Sequence, residues 1–248
     1  MKKYHYIFLF LIIAAFSSCK KELTSEGVSK VTHYPTFTVP GDVEILLPLG
    51  SSYTDAGATA AAGTNNLDVT TIVTGIYSSY SGTIVDPTKA NKYIITYSAV
   101  NSDGFAGRTT RTVYIAKTGD LVNSIEGLYT SKVSRAPTQG TVSANTSLKY
   151  VMIWKTGNNT YAISDGIGGY YDLGKGYGSG YMATGGAITA NNIAGNDFSF
   201  GTGCTVGTFG GAVTFSTLTV DPPSKTLILK TSWDSGYSFV ITLKQVQF

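Results

Sequence analysis

From residue 39 onward, apolar and polar side chains alternate with a period of two, the spacing that sends successive side chains to opposite faces of a strand. Tyr93–Val100 (YIITYSAV) and Arg108–Ala116 (RTTRTVYIA) show this with a β-branched and aromatic bias. Between them, Asn101-Ser102-Asp103-Gly104 reads as a turn, because Asp-Gly favours positive φ. The pair predicts a hairpin closing a small sandwich, and Val43–Leu47 predicts a further short strand. Beyond a junction at Lys117-Thr118-Gly119-Asp120, strands are predicted over Ile125–Arg135, Leu148–Lys155, Thr160–Ser164, Ala187–Ile193, Asp197–Phe200, Ala212–Val220, Lys225–Trp233 and Tyr237–Phe248. Thr156-Gly157-Asn158-Asn159 and Asp221-Pro222-Pro223-Ser224 carry the clearest turn chemistry. No stretch after residue 38 has a convincing helical period. Ala58–Ala62, flanked by Gly57 and Gly63, reads as a loop or strand edge. The pattern predicts an all-β chain, with an antiparallel barrel or sandwich of about eight strands over 121–248. Closure is favoured because the long last strand, YSFVITLKQVQF, is an aggregation hazard as an open edge.

The N-terminus breaks this pattern. Lys2 and Lys3 precede an apolar run from Tyr6 to Phe16, shorter than the roughly 20 residues that span a bilayer, and so it reads as an export signal. Phe16-Ser17-Ser18-Cys19 resembles the lipobox of bacterial lipoproteins, although Leu is usual where Phe16 stands and Gly or Ala where Ser18 stands. The resemblance implies removal of residues 1–18 and lipid on Cys19, against the plainer reading of a secretory signal with an incidental cysteine. Ser-Ser-Cys followed by Lys20-Lys21-Glu22 is similar to Bacteroidota-type lipoproteins, which implies display on the outer face of the outer membrane. Two or three acyl chains would anchor it stably. Residues 19–38, polar and without helical period, read as a lipidated tether.

Two further resemblances follow. GDVEILLPLGSSYTDAGATA, with Gly50, Tyr53, Asp55, Gly57, Ala58 and Ala60, followed by YIITYSAVNSDGFAGRTTRTVYI, resembles the bacterial surface-protein Ig-like domain. It covers about 39–117 and implies an Ig-like β-sandwich, a spacer or adhesive module without catalytic residues. The Thr- and Ser-rich stretch Thr64–Ser81 departs from that family's pattern and sets no clear strand boundaries. Tyr53 and Asp55 are expected to fix a turn. Tyr161–Gly186, YAISDGIGGYYDLGKGYGSGYMATGG, resembles uncharacterised C-terminal β-domains of surface lipoproteins, which tend to follow Ig-like modules in proteins linked to starch-utilisation-type glycan uptake.

Composition narrows the function. Of 248 residues 42% are hydrophobic but only 13% are charged, so the surface is largely neutral and polar, unlike an acidic disordered chain. The net charge is +3, and losing Lys2 and Lys3 with the leader takes 18 basic residues to 16, against 15 acidic. That balance excludes a basic nucleic-acid binder. The two cysteines, Cys19 and Cys204, form no intramolecular disulfide if Cys19 is lipidated, and Cys204 reads as a small buried residue.

The 29 glycines and 17 tyrosines concentrate in Tyr161–Gly186. Glycine allows sharp turns and close approach, while tyrosine offers a flat apolar face with a polar tip, the chemistry on which sugar rings stack. Tyr170, Tyr171, Tyr177 and Tyr181, with Trp233 and Tyr237 at a strand end, are the candidate ligand-binding residues; the competing reading is a bulged strand pair whose tyrosines only pack. Trp154 and Trp233 lie in predicted strands, where core packing is the default. Gly169–Lys175 is a near match to a phosphate loop, but Gly176 replaces the required Ser or Thr. The only histidines, His5 and His33, precede the predicted strands, which argues against His-based triads and zinc sites. Asp165, Asp172, Asp197 and Asp234 could pair as glycosidase carboxylates, but their settings favour turn roles. No catalytic residue, metal or cofactor is expected. The expected function is non-catalytic glycan capture with polysaccharide as ligand, or else adhesion to an outer-membrane transporter or partner lipoprotein.

Overall fold

The computed structural model describes residues 31–137 and 146–248; the leader and Cys19 lie outside them. Among the described residues the regular structure is nearly all β-strand, in two units.

The first unit is a sandwich. Its larger sheet has the order β2-β8-β7-β5-β6, from Glu44–Pro48 (β2), Thr70–Gly75 (β5), Tyr80–Gly82 (β6), Asn91–Val100 (β7) and Ala106–Ala116 (β8). β2 runs parallel to β8, and the other pairs are antiparallel. The second sheet joins Thr36–Thr38 (β1), Thr59–Ala62 (β3) and Asn65–Leu67 (β4). The expected β7–β8 hairpin is present, with the turn at 101–104 closed by Gly104 N–H donating to Asn101 O at 3.0 Å. β7 alternates buried and part-exposed residues along its length. Tyr93, Ile95 and Tyr97 from it pack with Val73, Val113 and Ile115 in the sandwich core. Three expectations sharpen here. All but the first residue of Ala58–Ala62 forms strand β3, Thr64–Ser81 contains β4, β5 and the start of β6, and β1 lies inside the stretch read as tether.

The second unit is one antiparallel sheet of ten strands, two more than expected. It takes the order β12-β15-β16-β17-β18-β9-β10-β11-β13-β14. These are Gly127–Ala136 (β9), Leu148–Lys155 (β10), Thr160–Ile163 (β11), Ala183–Thr184 (β12), Ala187–Asn192 (β13), Asp197–Phe200 (β14), Cys204–Val206 (β15), Ala212–Asp221 (β16), Thr226–Trp233 (β17) and Tyr237–Gln245 (β18). The long last strand is covered on both edges, by β17 and β9, which removes the hazard without full closure. The sheet curls until β14 approaches β16, an incompletely closed barrel. Inside it, Leu227, Leu229, Phe239, Ile241 and Leu243 of β17 and β18 interdigitate with Tyr129, Val151, Tyr161 and Ile188. Fully burying each such aliphatic stabilises the fold by roughly 1.5–3 kcal/mol. β12 and β15, of two and three residues, are too short for any periodic signal.

The two units are packed against each other. Tyr114, Ala116, Leu128, Tyr150 and Met152 are buried at the junction. Tyr77 donates its hydroxyl to the carbonyl of Tyr150 at 3.2 Å and stacks on Trp154 with centroids 6.1 Å apart. Lys117 pairs with Glu126 across the junction at 3.3 Å. Trp154 thus fills the seam between domains rather than the barrel core. Asp120, in the predicted junction, accepts the N–H groups of Val122, Asn123 and Ser124, so the connection is a built turn.

Candidate functional site

The Gly-Tyr segment forms no strand pair. After β11 the chain makes a tight turn at Asp165–Gly168, one wide helical turn over Tyr170–Gly174, a short 3-10 turn at Ser179–Tyr181 and then enters β12. Gly168 and Gly169 adopt φ of 68° and 80°, which is how two consecutive glycines fold the chain back across the barrel end. A Cβ on Gly168 would meet Ile241 Cγ2 at 2.5 Å, so the close approach also excludes any larger residue. No helix of phosphate-loop type follows Lys175.

This turn-rich stretch meets two hairpin turns at the same rim, the β15–β16 turn through Gly207–Gly211 and the β17–β18 turn after Trp233. All six candidate aromatics converge there, joined by Phe209. Tyr171 stacks on Tyr177 with centroids 6.2 Å apart and 11° between planes. Tyr181 packs edge-on against Phe209 at 4.9 Å and Tyr177 at 5.3 Å. Trp233 touches Tyr171, Phe209 and Tyr237 at 5.9, 6.2 and 5.8 Å. Tyr170 packs on Tyr171 and Phe239 at 4.9 and 5.6 Å.

The cluster has two layers. Tyr170, Tyr171 and Trp233 are 1%, 8% and 7% exposed, so they are a foundation and present no free face to a ligand. The indole N–H of Trp233 is spent on Gly210 O at 3.1 Å. Tyr177 and Phe209, 53% and 48% exposed, form the outer layer, with Tyr181 and Tyr237 half-buried at its border. As a stacking surface the candidate set therefore narrows to Tyr177, Tyr181 and Tyr237 and gains Phe209. Thr208-Phe209-Gly210-Gly211 carries the same glycine-flanked aromatic signature as the Gly-Tyr segment, a signal that points to Phe209.

The β15–β16 turn is laced to the Gly-Tyr segment. Gly207 N–H donates to Met182 O at 3.0 Å and Thr208 N–H to Gly180 O at 2.8 Å. A Cβ on Gly207 would stand 2.0 Å from Gly180 O, a backbone atom that cannot swing aside. Gly207→Ala is expected to push the Phe209 turn off the segment. Amide exchange should speed at residues 207 and 208, the two donors of the lacing, while β9 and β10 keep wild-type protection; unchanged exchange at both would contradict this lacing.

The candidate carboxylates do not converge. Asp234 Oδ2 accepts Ala212 N–H at 2.8 Å, and Asp197 Oδ1 accepts Asn191 Nδ2 at 3.1 Å. Asp165 Oδ1 accepts the N–H groups of Ile167 and Ala183 at 2.9 and 3.2 Å, and burial raises its pKa to about 7. Asp172 is raised by burial while Lys92 of the first domain pulls it down, so it belongs to the domain seam. Cys204 is 1% exposed, and burial, with the nearby Asp165 charge, pushes its thiol up to about 12, an inert state. Among the described residues no group of three or more His, Cys, Asp or Glu is placed to hold a metal.

In the first domain, Tyr53 and Asp55 do fix a turn, and they do so through a buried cation that the sequence reading missed. Asp55 accepts Tyr97 Oη at 2.8 Å, Tyr53 Oη at 3.0 Å and Gly57 N–H at 3.1 Å, and pairs with Arg111, which is 1% exposed.

Comparison with known proteins places this architecture. The family model for the bacterial surface protein Ig-like domain matches residues 37–115. A second, for a C-terminal domain, matches residues 118–245, just over half of the chain. The chain belongs to that C-terminal-domain family. In this family member the aromatic rim lies wholly within the matched C-terminal domain, and the Asp55–Arg111 pair within the Ig-like match. Among solved structures it is similar to the crystal structure of the lipoprotein BT2262 from Bacteroides thetaiotaomicron, at 26% identity and a TM-score of 0.61, covering 86% of this chain and 100% of that one. No curated protein matches it. The chain is thus a lipoprotein-like surface protein pairing an Ig-like domain with a C-terminal β-domain.

Proposed function

We propose that this protein is a non-catalytic lipoprotein, held in the outer membrane by lipid on Cys19 and facing the cell exterior, whose barrel rim captures glycan while the Ig-like domain acts as spacer. One observation carries the reading: the Gly-Tyr segment and two hairpin turns gather seven aromatic rings at one barrel end, and leave Tyr177 and Phe209 open to solvent over a packed aromatic base. Barrel mouths are preferred ligand sites, and exposed rings on a rigid base lose little entropy on binding. Sugar C–H faces stack on such rings, and the Tyr177 and Tyr181 hydroxyls offer hydrogen bonds at the border. The neutral polar surface suits a ligand recognised by shape and hydrogen bonds more than by bulk charge. Support for a non-catalytic role is that both histidines precede β1 and that the rim aspartates serve turns.

The alternative is a docking surface for a transporter or partner lipoprotein of an outer-membrane uptake complex, since exposed aromatics on a buried base also anchor protein interfaces. Calorimetry and affinity electrophoresis against a polysaccharide panel separate the two. Under the glycan reading, Tyr177→Ala and Phe209→Ala each weaken binding about tenfold or more, about 1.4 kcal/mol, without lowering thermal stability. Absence of any glycan binding, together with co-purification of a transporter through the same two rings, would shift the assignment to docking.

A further inference from the structure

The rim also holds two cations that its aromatic packing does not require. Arg135 is the last residue but one of β9 and is 7% exposed. Its Nη1 donates to the Tyr171 hydroxyl at 3.2 Å, and its Cζ lies 4.4 Å from the Tyr237 ring centroid and 5.1 Å from that of Tyr170. Its buried Nε has no acceptor among the described residues. Nearby, the Nζ of the exposed Lys175 lies 5.5 Å from the same Tyr170 ring. Among the described residues neither cation has a carboxylate within 4.0 Å. The adjoining stretch 138–145, Thr-Gln-Gly-Thr-Val-Ser-Ala-Asn, carries no acidic side chain in its sequence. Asp234, on the same rim, commits one oxygen to Ala212 N–H. Asp172 acts on Tyr77, Tyr114 and Lys92 of the first domain.

A guanidinium withdrawn from water is ordinarily matched by a carboxylate, because π faces and one phenol oxygen return only part of its lost hydration. Among the described residues no carboxylate supplies the complementary anion, and the charge lies directly behind the rings that a ligand would cover. We propose that the rim selects acidic glycans: a sugar stacked on Tyr177 and Phe209 presents a carboxylate, as in a uronic acid, to the ammonium of Lys175, with the Arg135 charge beneath Tyr171 and Tyr237 reinforcing it. Lys175 is the direct contact, free to swing on its flexible stem. Arg135 acts through the low-dielectric aromatic layer, where its field is less screened than that of a surface lysine. This inference rests on the glycan-capture reading and names the ligand class for the same site.

Calorimetry on the full chain tests it with three polymers: polygalacturonate, neutral galactan and dextran sulfate. Polygalacturonate is expected to bind about tenfold more tightly than galactan. That preference should shrink as salt rises. Lys175→Gln, an exposed change that leaves folding intact, should remove most of the preference, as should Arg135→Gln; Arg135→Lys should restore part of it. Tyr177→Ala should weaken both polymers alike. If galactan binds as tightly as polygalacturonate, acid selectivity is overturned and glycan capture stands. If no polymer binds, both are overturned. Dextran sulfate binding as tightly as polygalacturonate and unaffected by Tyr177→Ala would also overturn the proposal, because it would show charge attraction without the ring platform.

Discussion

Arg111→Leu should cost the Ig-like domain on the order of 3–5 kcal/mol, the range seen when one partner of a buried pair is removed. Arg111 has three separate tasks. Its Nε donates to Asp42 O at 2.9 Å, its Nη2 donates to Pro40 O, and its Nη1 donates to Asp55 and to Tyr97 Oη. Leucine satisfies none of them. The substitution strands two carbonyls ahead of β2 and leaves the Asp55 carboxylate with phenol and backbone donors but no cation. Burial alone would raise the Asp55 pKa, yet hydrogen bonds from Tyr97, Arg111 and Tyr53 and the Arg111 charge hold it below the ordinary carboxylate value. The sign follows from that lowering: the stabilisation is present above the unfolded carboxylate's pKa, about 4, and is lost as pH falls through the lower folded value. Against a total of about 5–15 kcal/mol for a domain, a loss of this size lowers the melting temperature by more than about 10 °C. Thermal unfolding of the full chain, with amide exchange locating the change in β7 and β8, checks it. A melting temperature within about 2 °C of wild type would refute the role given to Arg111, being less than 1 kcal/mol on the same scale.

Why Arg111 escaped a reading of the sequence is instructive. The alternation of RTTRTVYIA places Arg111 on the same face as Val113 and Ile115, so its inward direction was legible. Its partner was not, because Asp55 is 56 residues away and nothing local links them. The same division runs through the chain. Strands of eight or more residues with one wet face, such as β7, β17 and β18, were readable because burial imposes a period of two. β12 and β15 were not, since two or three residues hold no period. At the rim, composition gave the address of the site, but turn backbone has no fixed side-chain period. Nothing in the sequence could therefore separate the buried Tyr170 and Tyr171 from the exposed Tyr177. Arg135, a single charge at a strand end, becomes notable only once the rings around it are placed. Trp154 looked like core because it lies in a strand, and it is instead the ring on which Tyr77 of the other domain stacks.

Asp165→Asn should remove a pH dependence from the barrel and stabilise it at alkaline pH. Asp165 is 2% exposed at the turn that launches the Gly-Tyr segment, and its Oδ2 has no hydrogen-bond partner among the described residues. Burial is the main cause of its rise to about 7, and the Asp172 charge adds to it; backbone N–H groups of Ile167, Ala183 and Gly169 pull the other way without prevailing. A folded pKa above the unfolded value of about 4 means that the neutral acid is the form the native state prefers. The stabilisation is therefore complete below about pH 4 and is lost as pH rises through about 7, where the native barrel must hold a desolvated carboxylate or take up a proton. At about 1.4 kcal/mol per unit, a rise from 3.8 to about 7 corresponds to roughly 4 kcal/mol. Asparagine keeps the Oδ1 acceptor for Ile167 and Ala183 and, like the neutral acid, places a donor at the second position. Its extra N–H, also unpartnered, returns part of that gain. Denaturant unfolding of the two proteins from pH 4 to 9 should give curves that coincide near pH 4, diverge as pH rises from about 4 to about 7 and keep a constant difference above that, with the variant the more stable. Parallel curves across that range would show that the Asp165 carboxyl ionises in the native state as easily as in the unfolded chain, and that the turn tolerates charge that its burial forbids.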